Sequence, residues 1–122
     1  MDKALILDGT QITDAGLVHI KGLINLTALV LNGTQVTDAG LVHIKGMTNL
    51  KSLKLPKQIT DVGLLHIKEL PNLHWLILNE TQVTDAGLVH LKGLTKLQEL
   101  GLGGTQVNDA GIAELQKALP NC

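Results

Sequence analysis

Leucines recur along the chain in the frame L-x-x-L-x-L: Leu26-x-x-Leu29-x-Leu31, Leu50-x-x-Leu53-x-Leu55, Leu73-x-x-Leu76-x-Leu78 and Leu97-x-x-Leu100-x-Leu102. The opening Leu5-x-Leu7 belongs to the same frame, with Asp2 where the first leucine stands elsewhere. The L-x-L centre has a period of two, which puts both leucines on one face of a short strand. Each strand is followed by an inward-turning Ile or Val (Ile12, Val36, Ile59, Val83, Val107) and then by Thr-Asp or Asn-Asp. A second apolar set comes next with helical spacing. At about 100° per residue, Leu17 and Ile20 fall on one stripe with Leu23 joining just beyond, while Val18, His19 and Lys21 face away.

The pattern therefore predicts strand, turn, short helix and turn. The Thr or Asn before each Asp has the chemistry of a helix N-cap, and the Asp suits the positive helix end. A helix of about two turns is expected over residues 15–21, stopped by a left-handed C-cap at Gly22 and at its counterparts Gly46 and Gly93. Gly16 lies at the edge of the apolar stripe, where a missing side chain lets the helix approach the strands.

The unit repeats. Thr-Asp-x-Gly or Asn-Asp-x-Gly begins at Thr13, Thr37, Thr60, Thr84 and Asn108, in steps of 24, 23, 24 and 24 residues. A fixed period of this size means a solenoid, in which each unit buries its apolar face only against its neighbours. The predicted architecture is an α/β right-handed solenoid, a horseshoe of about five 23–25-residue strand-turn-helix repeats. A parallel sheet forms its concave face and short helices its convex face. We read residues 1–122 as one domain with units at about 2–25, 26–49, 50–72, 73–96 and 97–122, and no polar capping unit at either end. The third unit is one residue short, reading Leu55-Pro56-Lys57-Gln58-Ile59 without the Gly-Thr pair, and Pro56 removes a backbone donor at the strand exit. The last unit is one residue long, and Cys122 takes the first-leucine position of a further strand.

These motifs resemble the leucine-rich repeat family across essentially the whole chain. The segment I/V-T-D-x-G-L-x-x-L is similar to the cysteine-containing type found in F-box substrate receptors and in bacterial repeat arrays. Thr10, Thr34, Thr81 and Thr105 hold the position that in the family is Asn or Cys and bonds the turn backbone, a task a hydroxyl can share. The resemblance implies protein or peptide recognition on the concave face. No F-box is present, so the receptor role is not carried over.

Composition narrows the function further. Hydrophobic residues make up 44% of the chain but aromatics only 1%, so the core is Leu, Ile and Val. The net charge is −1 and the ten basic residues are all scattered lysines, which argues against a phosphate-tracking surface; one aromatic provides no base-stacking platform. No nucleic-acid partner is expected. Apolar runs fall short of a membrane span, and the first residues are too short and acidic for a signal peptide. If the chain is complete, these features and the single Cys122 favour the cytoplasm.

No catalytic constellation emerges, and neither a cofactor nor a metal is expected. Asp14, Asp38, Asp61, Asp85 and Asp109 recur with the period, as helix-start residues should. His19, His43, His66 and His90 form a ladder, but metal ligands must converge within about 2.1 Å of one ion and packed helices lie about 8–10 Å apart. Gly101-Leu102-Gly103-Gly104 follows a strand without starting a helix, unlike a phosphate loop. The positions the coil leaves free are those flanking the strand leucines. Among them Val30, Lys54 and Ile77 should be neighbours, with Trp75 between Ser52 and Glu99, and Asn79 beyond Ile77. These seven residues are the predicted partner-binding set, with Trp75 as its anchor; the bland alternative is a Trp filling a shallow groove. A second function class is assembly. An unpaired first strand and an uncovered last helix, with Ala118, Leu119 and Cys122 partly exposed, predict weak homo-oligomers formed through the ends.

Overall fold

The computed structural model describes residues 3–122 and places five three-residue strands in one parallel sheet, in chain order. They are β1 (Ala4–Ile6), β2 (Ala28–Val30), β3 (Ser52–Lys54), β4 (Trp75–Ile77) and β5 (Glu99–Gly101). The register follows the leucine frame, with Leu5, Leu29, Leu53, Leu76 and Leu100 as successive partners. Leu17, Ile20, Leu41, Ile44, Leu64, Ile67, Leu88 and Leu91 close the core from the other side, all buried. Thr10, Thr34, Thr81 and Thr105 each donate their hydroxyl to a carbonyl three residues back, at 2.6–2.7 Å, which pins the turn after the strand.

Three expectations need correction. The first concerns the helices. Units one, three and four contain single α-helical turns, α1 (Asp14–Leu17), α2 (Leu64–Ile67) and α3 (Asp85–Leu88), and the second has a 3-10 helix over Asp38–His43. Only the last, α4 (Asp109–Ala118), runs for ten residues. The Val-His-Ile-Lys-Gly of the first two units is replaced there by Ala113-Glu114-Leu115-Gln116-Lys117, all good helix formers. Nor do Gly22, Gly46 and Gly93 adopt left-handed conformations; that backbone belongs to Gly9, Gly33 and Gly104 and to Glu80 (φ 65°), in the turns that leave the strands.

The second correction concerns Thr-Asp. The side chains of Thr13, Thr37 and Thr84 cap nothing in their own helices. Only Asn108 is a full N-cap, accepting from the N–H groups of Ala110 and Gly111 at 3.0 and 3.2 Å. The Asp reaches across to the next unit instead. Asp14 accepts from the N–H and hydroxyl of Thr37, Asp38 from those of Thr60, and Asp61 from those of Thr84. Asp85 accepts from the N–H of Asn108 at 2.9 Å. The glycine of the motif makes room for this carboxylate. A Cβ at Gly40, Gly63, Gly87 or Gly111 would come closer than 3.0 Å to Asp14, Asp38, Asp61 or Asp85 respectively. Thr-Asp-x-Gly is thus an inter-unit clamp, with Asp on one unit and Thr and Gly on the next. A lesser clamp uses Asn49 and Asn72, whose amides donate to the carbonyls of Ile24 and Thr48 at 2.8 Å.

The third correction concerns the ends. Leu5, Leu7, Leu100 and Leu102 are only half-buried, whereas their inner counterparts are fully enclosed. Leu23 lies 48% exposed outside the core, although Met47, Leu70 and Leu94 at the same position are buried. Leu119, expected to be partly exposed, is buried beneath α4. Each unit is covered by its neighbours, so a position's burial depends on what stacks beside it.

Candidate functional site

Because strand side chains alternate, the residues on either side of each buried leucine share the solvent face of the sheet. Two rows result. One runs Ala4, Ala28, Ser52, Trp75, Glu99 and the other Ile6, Val30, Lys54, Ile77, Gly101, each residue in register with the next. The seven predicted residues therefore stand on one surface: Val30, Lys54 and Ile77 side by side, Trp75 between Ser52 and Glu99, and Asn79 at the exit of β4. Lys54, Trp75, Asn79 and Glu99 are exposed, while Val30, Ser52 and Ile77 are half-buried. Pro56, by contrast, is buried and offers nothing to a partner.

Trp75 keeps 40% of its surface exposed. Its indole lies against the His74 imidazole, ring centres 5.5 Å apart and tilted by 36°, and His74 is itself held by an Nδ1 contact of 2.6 Å to the Asn72 carbonyl. The indole is thus supported from one side and open on the other. Asn79 lies across the end of the last strand, where a Cβ at Gly101 would come closer than 3.0 Å to its Oδ1. Gly101 in β5 and Gly103 just beyond it make room for the Asn79 side chain.

The shortened third unit opens a recess of about 400 Å³ at the rim of this face, lined by Asn32, Gly33, Pro56, Lys57, Asn79 and Glu80 among others. The turns of the other units bond to each other, Gly9 N–H to the Asn32 carbonyl at 2.8 Å and Glu80 N–H to the Gly103 carbonyl at 2.7 Å. At unit three the Gln58 side chain takes over, donating to the carbonyls of Thr34 and Val36 at 2.8 and 2.6 Å. The missing residue was visible in the spacing, but the recess it leaves was not anticipated.

Elsewhere the chemistry is sparse. Among the described residues no group of three or more His, Cys, Asp or Glu could hold a metal ion, and no helix is long and apolar enough to cross a membrane. The sole ion pair there, Lys117–Glu114 at 3.0 Å, is exposed and holds the Glu114 carboxyl below its usual range, first through the hydrogen bond and then through the lysine charge. The Cys122 thiol is pushed up by burial and secondarily by the charge of Glu99.

A family model described as "Leucine Rich repeat" matches residues 22–44. Among solved structures, internalin C2 from Listeria monocytogenes aligns with a TM-score of 0.74 and 38% identity over 94% of this chain. The chain is a leucine-rich repeat protein. A second internalin of the same organism, inlF, aligns at a TM-score of 0.72 and 28% identity, again over 94% of the chain. The chain spans 48% of the first internalin's length and 33% of the second's. No curated protein matches it. Leucine-rich repeats of this kind typically serve as protein-interaction scaffolds rather than enzymes.

Proposed function

We propose that the chain is a non-enzymatic recognition module that holds a protein or peptide segment against its concave face. Val30, Ser52, Lys54, Trp75, Ile77, Asn79 and Glu99 are the contacts. The observation that carries this reading is the 40% exposure of Trp75, the chain's one Trp, in the middle of the inner rows. Aromatic anchors in such positions dominate binding energy, because a large rigid surface leaves water at little entropic cost. An extended segment crossing the strands would set an apolar side chain against Trp75, Ile77 and Val30. An acidic group would sit beside Lys54, and the Asn79 amide would offer both a donor and an acceptor.

Since Trp75 is the single indole, its fluorescence reports on this face alone. The test pans a displayed random-peptide library on the parent chain and titrates the recovered peptides into parent and Trp75→Ala protein. Supporting peptides shift the Trp75 emission and lose about tenfold or more in affinity on Trp75→Ala, as expected for a hot spot. Peptides that bind the variant as tightly as the parent, with no change in emission, would sink the proposal.

A further inference from the structure

The turns that leave the strands form a second ladder beside the sheet, and it is broken at the third unit. Gly9 donates to the Asn32 carbonyl and Glu80 to the Gly103 carbonyl, at 2.8 and 2.7 Å. The two rungs between them, from Gly33 to unit three and from unit three to Asn79, are missing. Among the described residues the Gly33 and Lys57 N–H groups donate to nothing, and the Asn79 carbonyl accepts nothing. The Pro56 carbonyl, the counterpart of those of Asn32 and Gly103, takes the Ile59 N–H of its own unit at 3.2 Å. All these residues but Ile59 border the recess of about 400 Å³. Its floor is the buried Leu55 and Pro56, and its rim carries the exposed Lys57 and Glu80.

We propose that the recess is a subsite for a primary amide, the Asn or Gln side chain of a segment bound to the concave face. This rests on the recognition reading above and adds what the bound segment must carry. The lining offers two N–H donors and one carbonyl acceptor. A carboxamide supplies the complement from one planar group: an oxygen that accepts from Gly33 and Lys57, and an NH2 that donates to Asn79. It stands in for the deleted residue and closes the ladder. A carboxylate fits less well. It has no donor for the Asn79 carbonyl, and the formal charges of Lys57 and Glu80 cancel at the rim. An aliphatic side chain covers the three polar groups without pairing them, which is unfavourable. The short stem of Asn or Gln rests on Leu55 and Pro56. Asn79 is four residues beyond Trp75, no more than about 13 Å at the strand rise. The amide and the apolar anchor of an extended segment therefore lie within about four residues of each other.

The test refills the turn. Pro56-Lys57→Asn-Gly-Thr copies the regular turn of unit two, Asn32-Gly33-Thr34, and supplies a glycine for the left-handed position that Gly33 takes at φ 70°. The displayed peptide library is panned on the parent and on this variant. The recovered peptides are then titrated into the parent, refilled and Trp75→Ala chains. Parent-selected peptides should share an Asn or Gln at a fixed distance from an apolar residue. They should lose about tenfold or more in affinity on the refilled chain, and as much when the peptide's Asn is replaced by Leu or its Gln by Met. Peptides selected on the refilled chain should lack the amide and still depend on Trp75. A thermal melt of the refilled chain at or above the parent's excludes unfolding as the cause, and the peptide replacements give the same answer without altering the protein. Peptides that need Trp75 but tolerate both the refilled turn and the loss of their amide overturn the subsite and leave concave-face recognition standing. A shared Asp or Glu in place of the amide overturns it too. Peptides indifferent to Trp75→Ala sink both readings.

Discussion

Gly16 and Gly87 hold the same place in two identical heptapeptides, Thr-Asp-Ala-Gly-Leu-Val-His, at residues 13–19 and 84–90. Their surroundings differ. Gly87 is buried, with Asp61 of the preceding unit pressed over it, while Gly16 is half-exposed and has only its own unit's Ile12 nearby. Thr84 receives a carboxylate on both its N–H and its hydroxyl, and no such partner reaches Thr13 among the described residues. Equal local sequences thus contribute unequally to stability. In a stacked-repeat protein much of the energy resides in the junctions, and the same residue is a structural necessity inside the array and a spare contact at its edge.

The sharpest test of this contrast is in the leucine rows. Leu76 is wholly enclosed between β3 and β5, whereas Leu5, in register on the first strand, is half-buried. Leu76→Ala should cost about 2–5 kcal/mol, the range for enclosed core leucines. Leu5→Ala should cost roughly half of that or less, because part of its side chain already faces water. Chemical denaturation curves for both variants would check this, and equal losses would mean that the end unit is as well covered as the centre.

The glycine pair comes next. Gly87→Ala forces a methyl group into the Asp61 carboxylate and should cost about 1–3 kcal/mol, as overpacking does. Gly16→Ala removes backbone freedom from a helical position against only a flexible neighbour, so its effect should fall within about 1 kcal/mol of zero. A slightly smaller separation is expected for the clamp carboxylates. Asp61→Ala leaves the N–H and hydroxyl of Thr84 without their acceptor at a half-buried site and should cost about 1–3 kcal/mol. Asp109→Ala should leave the melting temperature of the monomer unchanged. If Asp61→Ala were equally silent, the clamp would be a consequence of stacking and not a contributor to it.

How much of this could be read from the chain alone differs between the framework and its fastenings. The strands, their parallel order and the two rows of inner residues followed from a period of two nested in a period near 24, because burial leaves leucine no other face. Position-by-position reading fails at the ends. Leu23 looks like Met47 and Leu94 in sequence, and only the absence of a covering unit separates them. The clamp escaped for a different reason: Thr and Asp suit an N-cap as well as they suit a contact between units, so local chemistry could not choose between them. The available signal was the glycine. A residue costly within a helix, kept at one place in all five copies, implies a neighbour approaching too closely for a Cβ. On the inner face, Val30, Lys54, Trp75 and Ile77 were placed correctly in register, but the recess beside Asn79 depends on how three successive turns fail to meet, which no periodicity encodes.

The smallest expected effect concerns the last residue. Cys122 occupies the position held in the inner units by Leu26, Leu50, Leu73 and Leu97, all buried, yet it is only partly covered and lines the open groove of the final unit. Burial raises its thiol above the ordinary value and the nearby Glu99 carboxylate adds to the shift. Since the thiolate is the nucleophile, iodoacetamide at neutral pH should alkylate the native chain several-fold more slowly than the urea-unfolded chain, roughly the factor set by a modest shift. The linkage has a definite sign. A group whose folded value lies above its unfolded value adds stability that is complete below the unfolded thiol's range and is lost as the pH rises through the folded value, so this contribution disappears on the alkaline side. Glu99→Gln should recover a minor part of the lost reactivity, since its charge is the second cause and burial the first. Equal rates for native and unfolded chains would show that Cys122 is not seated in the groove.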